Sequence, residues 1–350
     1  MRADTSRSMK PEITIRTLTD GGQRPYEIAS AIAGFLDGAK RTLELAQYDF
    51  DLGAETAAIV GDALRRAAGR GVRIRLAYNV DHSKPIPVPP PASPDEALIE
   101  SLPLESYPVA GVPDLMHHKY VIRDGESVWT GSTNWTDDAW SRQENVIVIA
   151  ESRALATEFQ RDFEQQQLAD QVADTGRVPP TWHDRDRVWF TPGHGEDLSH
   201  RIGQAMGRAR RRIRICSPIL TAPPVLGALT SALATGKVDV AGCFDETQMR
   251  DVAHQWRISH RAWKLPLLDR IAAGQFSAKP STPYGGGDVH DFMHAKLTVA
   301  DDTVFAGSFN LSRSGERNAE NVLEIEDADL ANSMAAFVDE VRARYAPLAL

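Results

Sequence analysis

The chain has 350 residues, of which 42% are hydrophobic and 25% are charged, and its formal net charge is −9. This length suits one large domain or two ordinary ones, and the composition is that of a soluble globular protein. The acidic balance argues against a general polyanion-binding protein, although it leaves room for a local basic groove.

Neither a secretory signal nor a membrane-spanning segment is expected. The N-terminal stretch MRADTSRSMKPEITIRTL lacks the apolar core of a signal peptide. No run of the chain approaches the roughly 18 apolar residues that a membrane helix needs. Cys216 and Cys243 lie in apolar, strand-like runs, so we expect two buried thiols and a reducing, cytoplasmic compartment.

The first half of the chain alternates helices and strands. A helix that ends near Lys40 and Arg41 leads into a strand, TLELAQY, and a second helix over residues 55–70 leads into VRIRLAYN. A proline-rich loop follows at residues 84–94, and we expect it near the functional site. Next come MHHKYVIRD at residues 116–124, a partner strand, SVWTGS, and a last strand that starts at Glu144 and precedes a helix.

The second half shows the same elements in the same order. RARRRIRICS ends a helix and begins a strand, PPVLGALTSALATG predicts the second helix, and KVDVAGCF predicts the next strand. MHAKLTVAD at residues 293–301 and TVFAGS follow, and the last strand begins at Glu320. The final helix has an apolar face at helical spacing, which consists of Leu330, Met334, Phe337, Val338 and Val341.

These elements form an internal repeat. Both motif segments read M-H-x-K-x-x-x-x-D, and the second lies 177 residues after the first. GSTN at residues 131–134 and GSFN at residues 307–310 follow, and then QENVIVI and AENVLEI, which lie 176 residues apart. The equivalent motif residues are His117 and His294, Lys119 and Lys296, and Asp124 and Asp301. A repetition of this kind indicates two structural repeats.

Strands that alternate with helices predict an α/β fold, with one mixed β-sheet flanked by helices in each repeat. We expect two tandem repeats packed about a pseudo-twofold axis, so that one chain completes one site and works as a monomer. Residues 1–170 are predicted to form the N-terminal repeat, 171–186 the linker and 187–350 the C-terminal repeat. Pro179 and Pro180 mark the linker.

The motif spacing predicts a shared site. Side chains two residues apart on a strand share a face, so His117 and Lys119 point the same way, as do His294 and Lys296. If the halves meet across a twofold axis, both pairs converge. Two imidazoles that face one phosphorus could then supply a nucleophile and an acid, and the lysines could form an anion cradle.

Residues near the motifs complete the predicted site. The asparagines of the GSxN segments would bind the anion, the serines would bind phosphate through their hydroxyls or shape the turn, and the motif aspartates would cap turns away from the pocket. These residues are Asn134, Asn310, Ser132, Ser308, Asp124 and Asp301.

The two motifs resemble those of the phospholipase D superfamily, whose mark is H-x-K-x(4)-D followed by a GSxN-type turn. The resemblance covers residues 12–346 as two copies. It implies a phosphodiesterase that needs no metal and no cofactor. One histidine attacks phosphorus and forms a covalent phosphohistidine, while the other protonates the leaving oxygen and then activates water or an acceptor alcohol.

The resemblance also implies individual roles. The family more often uses the N-terminal histidine as nucleophile, which favours His117, with His294 as the acid. Glu144 and Glu320, at the start of each last strand, match the position of a histidine-orienting carboxylate in the family's small nuclease-like members. Such a carboxylate would also favour the imidazolium that forms in the reaction.

Some residues have a second interpretation. His118 points to the opposite face from His117 and is expected to pack in the core. The basic run 208–214 is interpreted as helix-end cations rather than as a nucleic-acid contact. A metal site would be the alternative use of Asp288, His290, Asp291 and His294, but GGGDVH is typical of a loop, so no metal site is predicted.

The substrate has two candidate classes. A phospholipid is favoured, because the chain is acidic and its unlike halves suit the unlike groups on the two sides of a phospholipid phosphorus; membrane contact would be peripheral at most. The alternative is a nuclease with the same site, because TGSTNWT resembles the single-motif endonucleases and the cardiolipin hydrolase-like branch. A non-catalytic phosphodiester-binding or protein-binding homologue is a third possibility, against which the two intact motifs argue.

Overall fold

The computed structural model describes residues 12–80, 94–111, 114–169, 171–283 and 289–350. The proline-rich loop predicted at residues 84–94 therefore lies, except for its last residue, outside the described residues. Each half of the chain forms a seven-stranded mixed sheet with helices on its faces. This confirms the predicted α/β fold of two repeats.

The first half contains nine strands and five helices among its described residues. Its strands are β1 (Glu12–Leu18), β2 (Thr42–Gln47), β3 (Phe50–Asp51), β4 (Arg73–Val80), β5 (Glu105–Ala110), β6 (Lys119–Arg123), β7 (Ser127–Gly131), β8 (Trp135–Thr136) and β9 (Asn145–Glu151). Its helices are α1 (Pro25–Asp37), α2 (Ala54–Gly69), α3 (Glu96–Glu100), α4 (Asp137–Ser141) and α5 (Arg153–Leu168). The sheet order is β1-β9-β7-β6-β2-β4-β5, and β3 pairs with β8 beside it.

The second half repeats this order without the small extra sheet in its described part. Its strands are β10 (Asp186–Thr191), β11 (Arg212–Ser217), β12 (Asp239–Asp245), β13 (Gln275–Lys279), β14 (Leu297–Ala300), β15 (Thr303–Gly307) and β16 (Glu320–Glu326). Its helices are α6 (Gly195–Arg208), α7 (Pro223–Thr235), α8 (Glu246–Arg257), α9 (Leu265–Ala272) and α10 (Ala328–Arg344). The sheet order, β10-β16-β15-β14-β11-β12-β13, matches the first sheet strand for strand. None of the described helices is both long and apolar enough to cross a membrane.

One hydrophobic core joins the two halves. Helices α5 and α10 follow the last strand of each sheet, and their apolar faces meet strands of both repeats in a single buried cluster, which includes Phe159, Phe163, Phe337 and Val338. Asp327 caps α10 by accepting the backbone N–H of Leu330, and the apolar stripe predicted for this helix is the face that it buries. Two further clusters lie on the outer faces, one in each half.

The segment between the repeats is short and attached to this core. Residues Val172–Asp174 form a 3-10 turn, and Val172 and Val178 are buried in the cluster that joins the halves. Strand β10 begins at Asp186, the last residue of the predicted linker. The domain boundaries at 170 and 187 stay predictions.

Backbone hydrogen bonds connect the repeats next to the motifs. The N–H of His117 donates to the carbonyl of Ala319 at 2.9 Å, and the N–H of His294 donates to the carbonyl of Glu144 at 3.1 Å. Each motif segment therefore docks on the start of the last strand of the other repeat. This crossed arrangement fixes both histidines relative to each other, because the connection is made by main-chain atoms.

The two cysteines are buried, as predicted. Cys216 on β11 and Cys243 on β12 are neighbours in the parallel ladder and remain free thiols. Burial raises the pKa of both thiols above the usual range, so they are packing groups rather than nucleophiles.

Candidate active site

A cleft opens between the two halves where the motif segments meet. It is lined by both motif histidines, both GSxN asparagines and residues from the ends of neighbouring strands. The lining residues are Tyr48, Asp49, His117, Asn134, Thr136, Gln143, Pro218, Gln248, His290, Phe292, His294 and Asn310. The structure thus brings the two predicted histidines together in one site that neither repeat could form alone.

His117 is held by a carboxylate from the other repeat. Nδ1 of His117 lies 2.8 Å from Oε2 of Glu320, the first residue of β16, and both side chains are buried. Burial, and then the nearby Lys119 and Lys296, hold the pKa of His117 well below its usual value. Burial also raises the pKa of Glu320 to about 7, although Lys119 opposes this shift. The contact at Nδ1 fixes the ring and leaves Nε2 as its second polar atom.

His294 is held by a neutral amide instead. Nδ1 of His294 lies 3.2 Å from Oδ1 of Asn145, the first residue of β9. The hydroxyl of Ser132 donates to the same Oδ1 at 2.7 Å, and Nδ2 of Asn145 donates to the carbonyl of Ala139 at 3.0 Å. Burial, Lys296 and Lys119 again hold the pKa of the histidine well below its usual value. The two imidazoles therefore have unlike partners.

The predicted role of Glu144 as a histidine-orienting residue is wrong, because strand register does not follow the sequence pattern. The pairing of β7 with β9 and of β15 with β16 makes Asn145, rather than Glu144, the structural equivalent of Glu320. The pairs that set this equivalence are Gly131 with Ile147 and Gly307 with Val322. The segment between GSTN and β9 thus uses one residue more than its counterpart. A slip of one residue turns a strand side chain to the other face, which moves the Glu144 carboxylate off the histidine.

Glu144 instead belongs to a buried ion network behind the cleft. Its Oε2 accepts a hydrogen bond from Nζ of Lys279 at 2.8 Å, and the hydroxyl of Tyr345 donates to its Oε1. Lys279 also lies 3.2 Å from the carboxylate of Asp20. This network ties the end of β13 and the segment after α10 to the first repeat, so its role is structural.

The two motif lysines lie beneath the histidines. Nζ of Lys119 donates to the carbonyl of His117 at 2.7 Å, and Nζ of Lys296 donates to the carbonyl of His294 at 2.8 Å. Burial lowers the pKa of Lys119 to about 7, although Glu320 opposes the shift. Burial, and then Lys119, lower the pKa of Lys296 well below its usual value. A bound anion would favour the charged form of both lysines.

The GSxN asparagines and serines have different positions. Asn134 and Asn310 line the cleft, and among the described residues Oδ1 of each is buried without a hydrogen-bond partner. Oδ1 is a hydrogen-bond acceptor, so it could accept a donor group of a ligand, whereas a phosphoryl oxygen would be bound through the Nδ2 donor of each amide. The hydroxyls of Ser132 and Ser308 are fully buried and accept the backbone N–H of the last strand at 2.9 and 3.0 Å. These contacts show the serines shaping the turn, and phosphate binding through their hydroxyls stays a prediction.

The motif aspartates lie at the far end of their strands. Asp124 and Asp301 have positive φ angles of 57° and 52° and close the turns after β6 and β14. Burial alone would raise their pKa, but hydrogen bonds from backbone N–H groups hold the pKa of each below its usual value. The donors are Lys40, Arg41 and Thr42 for Asp124, and Arg210, Arg211 and Arg212 for Asp301.

The basic run 208–214 lies at this same end, away from the cleft. Arg211 pairs with Asp302 at 2.5 Å, and Arg214 pairs with Asp239 and Asp339 at 2.5 and 2.8 Å. These guanidinium groups are committed to acidic partners on the same half. They do not extend the cleft as a basic groove.

His118 faces the core between the repeats. Its Nε2 lies 3.1 Å from Oδ2 of Asp162 on α5, and its ring is fully buried. It therefore turns away from His117, as the alternation of strand side chains predicts.

Two further residues at the cleft, Tyr48 and Asp49, follow β2 and were not predicted from the sequence. Asp49 is only 6% exposed, and among the described residues its Oδ1 has no hydrogen-bond partner. Burial, and then Asp51, raise the pKa of Asp49 to about 7, although Lys119 opposes the shift. The ring of Tyr48 contacts the His117 ring at a centroid distance of 4.5 Å. Their position in the sequence could have indicated them, because polar residues directly after a central strand lie at the edge of the sheet where ligands bind.

The alternative metal site receives no support from the described residues. The His290 ring stacks on Phe292 at 5.6 Å, and a carboxylate oxygen of Asp291 accepts the N–H of Thr282 at 2.7 Å. Asp288 lies outside the described residues. Within the described ranges, no group of at least three His, Cys, Asp or Glu side chains could hold a metal ion.

Comparisons with known proteins cover both halves of the chain. A family model described as cardiolipin synthase, PLD-like domain, matches residues 32–167 and 202–342. Mitochondrial cardiolipin hydrolase of Xenopus laevis is 32% identical over 131 residues, which are 36% of this chain and 55% of that protein. The protein of the same name from Chlamydomonas reinhardtii is 26% identical over 143 residues, which are 39% of this chain and 55% of that protein. The chain thus spans about half the length of these curated relatives.

A solved structure shares the two-repeat arrangement. Phosphatidylserine synthase of Haemophilus influenzae Rd KW20 superposes with a TM-score of 0.67 over 94% of this chain and 86% of its own, at 14% identity. At that identity the likeness is one of fold. The family model, in contrast, matches both repeats, each with its own H-x-K motif. The chain therefore belongs to the phospholipase D superfamily, as its motifs predicted.

Proposed function

We propose that this phospholipase D-type enzyme cleaves a phosphodiester bond of a phospholipid through a covalent phosphohistidine on His117. The product is formed either by hydrolysis or by transfer of the phosphoryl group to an alcohol. The cleft supports this proposal, because two imidazoles and two asparagine amides line one space. The two motif lysines lie behind this lining, each hydrogen-bonded to the carbonyl of its histidine.

In the first step, Nε2 of His117 attacks phosphorus, and the P–O bond to the leaving alcohol breaks. His294, in its protonated form, gives its proton to the leaving oxygen. In the second step, a water or an acceptor alcohol loses a proton to His294 and attacks phosphorus, and the P–N bond breaks. Lys119, Lys296 and the two asparagines would stabilise the negative charge on the phosphoryl oxygens in both steps.

The unlike partners of the histidines support this division of roles. Glu320 lies 2.8 Å from Nδ1 of His117, and a carboxylate there stabilises the positive charge that the ring gains when Nε2 bonds to phosphorus. His294 has only the amide of Asn145, so its imidazolium is less stabilised and releases its proton more readily. A nucleophile benefits from the first environment and an acid from the second.

The substrate class rests on the charges of the cleft. Apart from the two motif lysines behind the histidines, the described residues place no Lys or Arg at the cleft, and one lining residue is a buried carboxylate, Asp49. A nucleic-acid strand would bring further phosphates past this carboxylate, whereas a phospholipid headgroup can offer it a hydroxyl or an ammonium group. The name of the curated relatives, cardiolipin hydrolase, also points to a phospholipid.

In the experiment that tests this proposal, the purified protein is incubated in EDTA with phospholipid vesicles or with single-stranded DNA, and cleavage of each is measured. We expect phospholipid turnover in EDTA and loss of turnover in His117→Asn. We also expect Asp49→Asn to lose discrimination between headgroups with and without a hydrogen-bond donor. Asp51→Asn, two residues away but not among the cleft residues, is the matched control and should keep the wild-type preference. Cleavage of DNA with intact phospholipid would overturn the proposed substrate.

A further inference from the structure

The connection between α8 and α9 exposes two large apolar side chains. We call residues 254–264 the basic tip. Ile258 is 73% exposed and Trp263 is 68% exposed. Trp256 in the same segment is buried in the core of the second half, so the tip is anchored at one side and open at the other.

The basic tip is also a local positive patch in an acidic chain. It contains Arg257, Arg261 and Lys264, and the sequence has no acidic residue between Asp251 and Asp269. None of the three cations forms an ion pair with another described residue. Nζ of Lys264 lies 5.6 Å from the centroid of the Trp263 ring, so the charge and the exposed aromatic group are neighbours.

Exposed cations beside Trp and Ile fit one surface best. Tryptophan prefers the polar–apolar boundary of a bilayer, an aliphatic side chain gains by insertion below it, and each nearby Lys or Arg is attracted by anionic headgroups. A nucleic acid would use the cations but would leave Ile258 in water. Because the chain has a net charge of −9, an anionic bilayer would repel most of its surface and attract the basic tip. The protein would therefore approach the bilayer with the tip first.

The basic tip is close to the cleft. Gln248, in the first turn of α8, lines the cleft, and the helix ends at Arg257. At a rise of about 1.5 Å per residue, the tip lies roughly 15 Å along the helix from the cleft wall. A bilayer bound at the tip would therefore be within reach of the cleft.

We propose that the basic tip docks the protein on the surface of an anionic phospholipid bilayer. This inference rests on the proposed function in one respect: docking would serve to bring a phospholipid to the cleft. The docking itself is independent of catalysis.

The test is sedimentation with vesicles of phosphatidylcholine alone or mixed with phosphatidylglycerol. We expect binding to the mixed vesicles only. Neutralising the three cations (Arg257→Gln, Arg261→Gln, Lys264→Gln) should weaken it on the order of 100-fold. The pair Ile258→Ser and Trp263→Ser should also weaken it by at least about tenfold. Leu168→Ser, which removes an 84% exposed side chain elsewhere, is the control and should bind as the wild type does.

Hydrolysis of soluble bis(4-nitrophenyl) phosphate separates docking from catalysis. All tip variants should keep wild-type rates on this substrate and wild-type melting temperatures. Equal vesicle binding by wild type and tip variants, or tip-dependent binding to an oligonucleotide instead of vesicles, would overturn the inference. Tip-dependent vesicle binding without phospholipid turnover would support the inference while defeating the proposed function.

Discussion

Replacement of Glu320 by Gln tests whether the carboxylate at His117 takes part in the chemistry. The variant keeps the size of the side chain and its carbonyl oxygen but removes the negative charge 2.8 Å from Nδ1 of His117. A hydrogen bond to a charged group contributes about 1.5–3 kcal/mol. If the Glu320 carboxylate stabilises His117 by this amount only when the ring becomes cationic in the reaction, its removal should lower kcat/KM about 10- to 100-fold.

Glu144→Gln is the matched control, because the sequence pattern gives the two glutamates the same role and the structure does not. Glu144 contacts Lys279 and Tyr345 rather than a histidine ring. Its replacement should lower the melting temperature, because Lys279 loses a charged partner in a buried site. The kcat/KM of the folded variant should stay within about threefold of the wild type.

The assay is the release of nitrophenol from bis(4-nitrophenyl) phosphate, followed below the melting temperature of every variant. This leaving group needs no proton, so in the proposed mechanism the rate reports attack by His117. An equal loss in Glu144→Gln and Glu320→Gln, with both variants folded, would refute the structural equivalence of Asn145 and Glu320.

Three further predictions concern the histidines and two kinds of aspartate. With the nitrophenyl substrate, His294→Ala should accumulate a phosphoryl group on His117, whereas His117→Ala should form no phosphoenzyme; mass spectrometric detection of the group on His294 instead would reverse the roles. Asp301→Ala removes the acceptor of three backbone N–H groups, so it should destabilise the fold by about 1–3 kcal/mol with little change in kcat. Folding lowers the pKa of Asp301, so the difference in unfolding free energy between the wild type and Asp301→Ala should shrink as pH falls below about 4, the pKa of an unfolded aspartate. A difference that stays constant in acid would contradict the lowered pKa. The pKa of Asp49 is raised to about 7 in the folded protein, so the free energy of unfolding of the wild type should fall as pH rises from about 4 to 7. Asp49→Asn escapes this loss, so its stability advantage over the wild type should be larger at pH 8 than at pH 5. An equal advantage at both pH values would contradict the raised pKa.

The repeated pattern made the fold and the central residues predictable. Two copies of one motif at a fixed offset require two copies of one supersecondary unit, and a histidine that recurs with its lysine on the same strand face is rarely a packing residue. The convergence of His117 and His294 then followed from symmetry alone. The apolar stripe of α10 was equally readable, because its five residues follow helical spacing.

Symmetry was also the reason for the error at Glu144. The letters E-N recur in both repeats, but the segment before β9 holds one more residue than its counterpart before β16, and only the ladder shows it. Asp49 was missed because it has no counterpart in the second repeat, where Ile219 follows the equivalent strand. The basic tip is likewise outside the repeat, so a pattern built on equivalence could not reveal any of these three features.

Asn145→Asp would give His294 the kind of partner that His117 has, and its effect follows from the same electrostatics. A carboxylate at Asn145 would stabilise the His294 imidazolium, and the difference between a charge-assisted and a neutral hydrogen bond, about 1 kcal/mol, corresponds to a rise of roughly one unit in pKa. In the proposed mechanism His294 is protonated when it expels an alcohol, so the alkaline limb of the pH–rate profile should move upward with a phospholipid substrate and stay in place with the nitrophenyl ester.

The same substitution removes Nδ2, which donates to the carbonyl of Ala139 and to Gln143, so some loss of stability is expected and the profile must be measured on folded protein. The measurement belongs above pH 7, where a buried carboxylate like Glu320, with a pKa of about 7, is ionised. An unmoved alkaline limb in a folded variant would mean that His294 is not the acid. The unlike partners of the two histidines would then be a difference in packing alone.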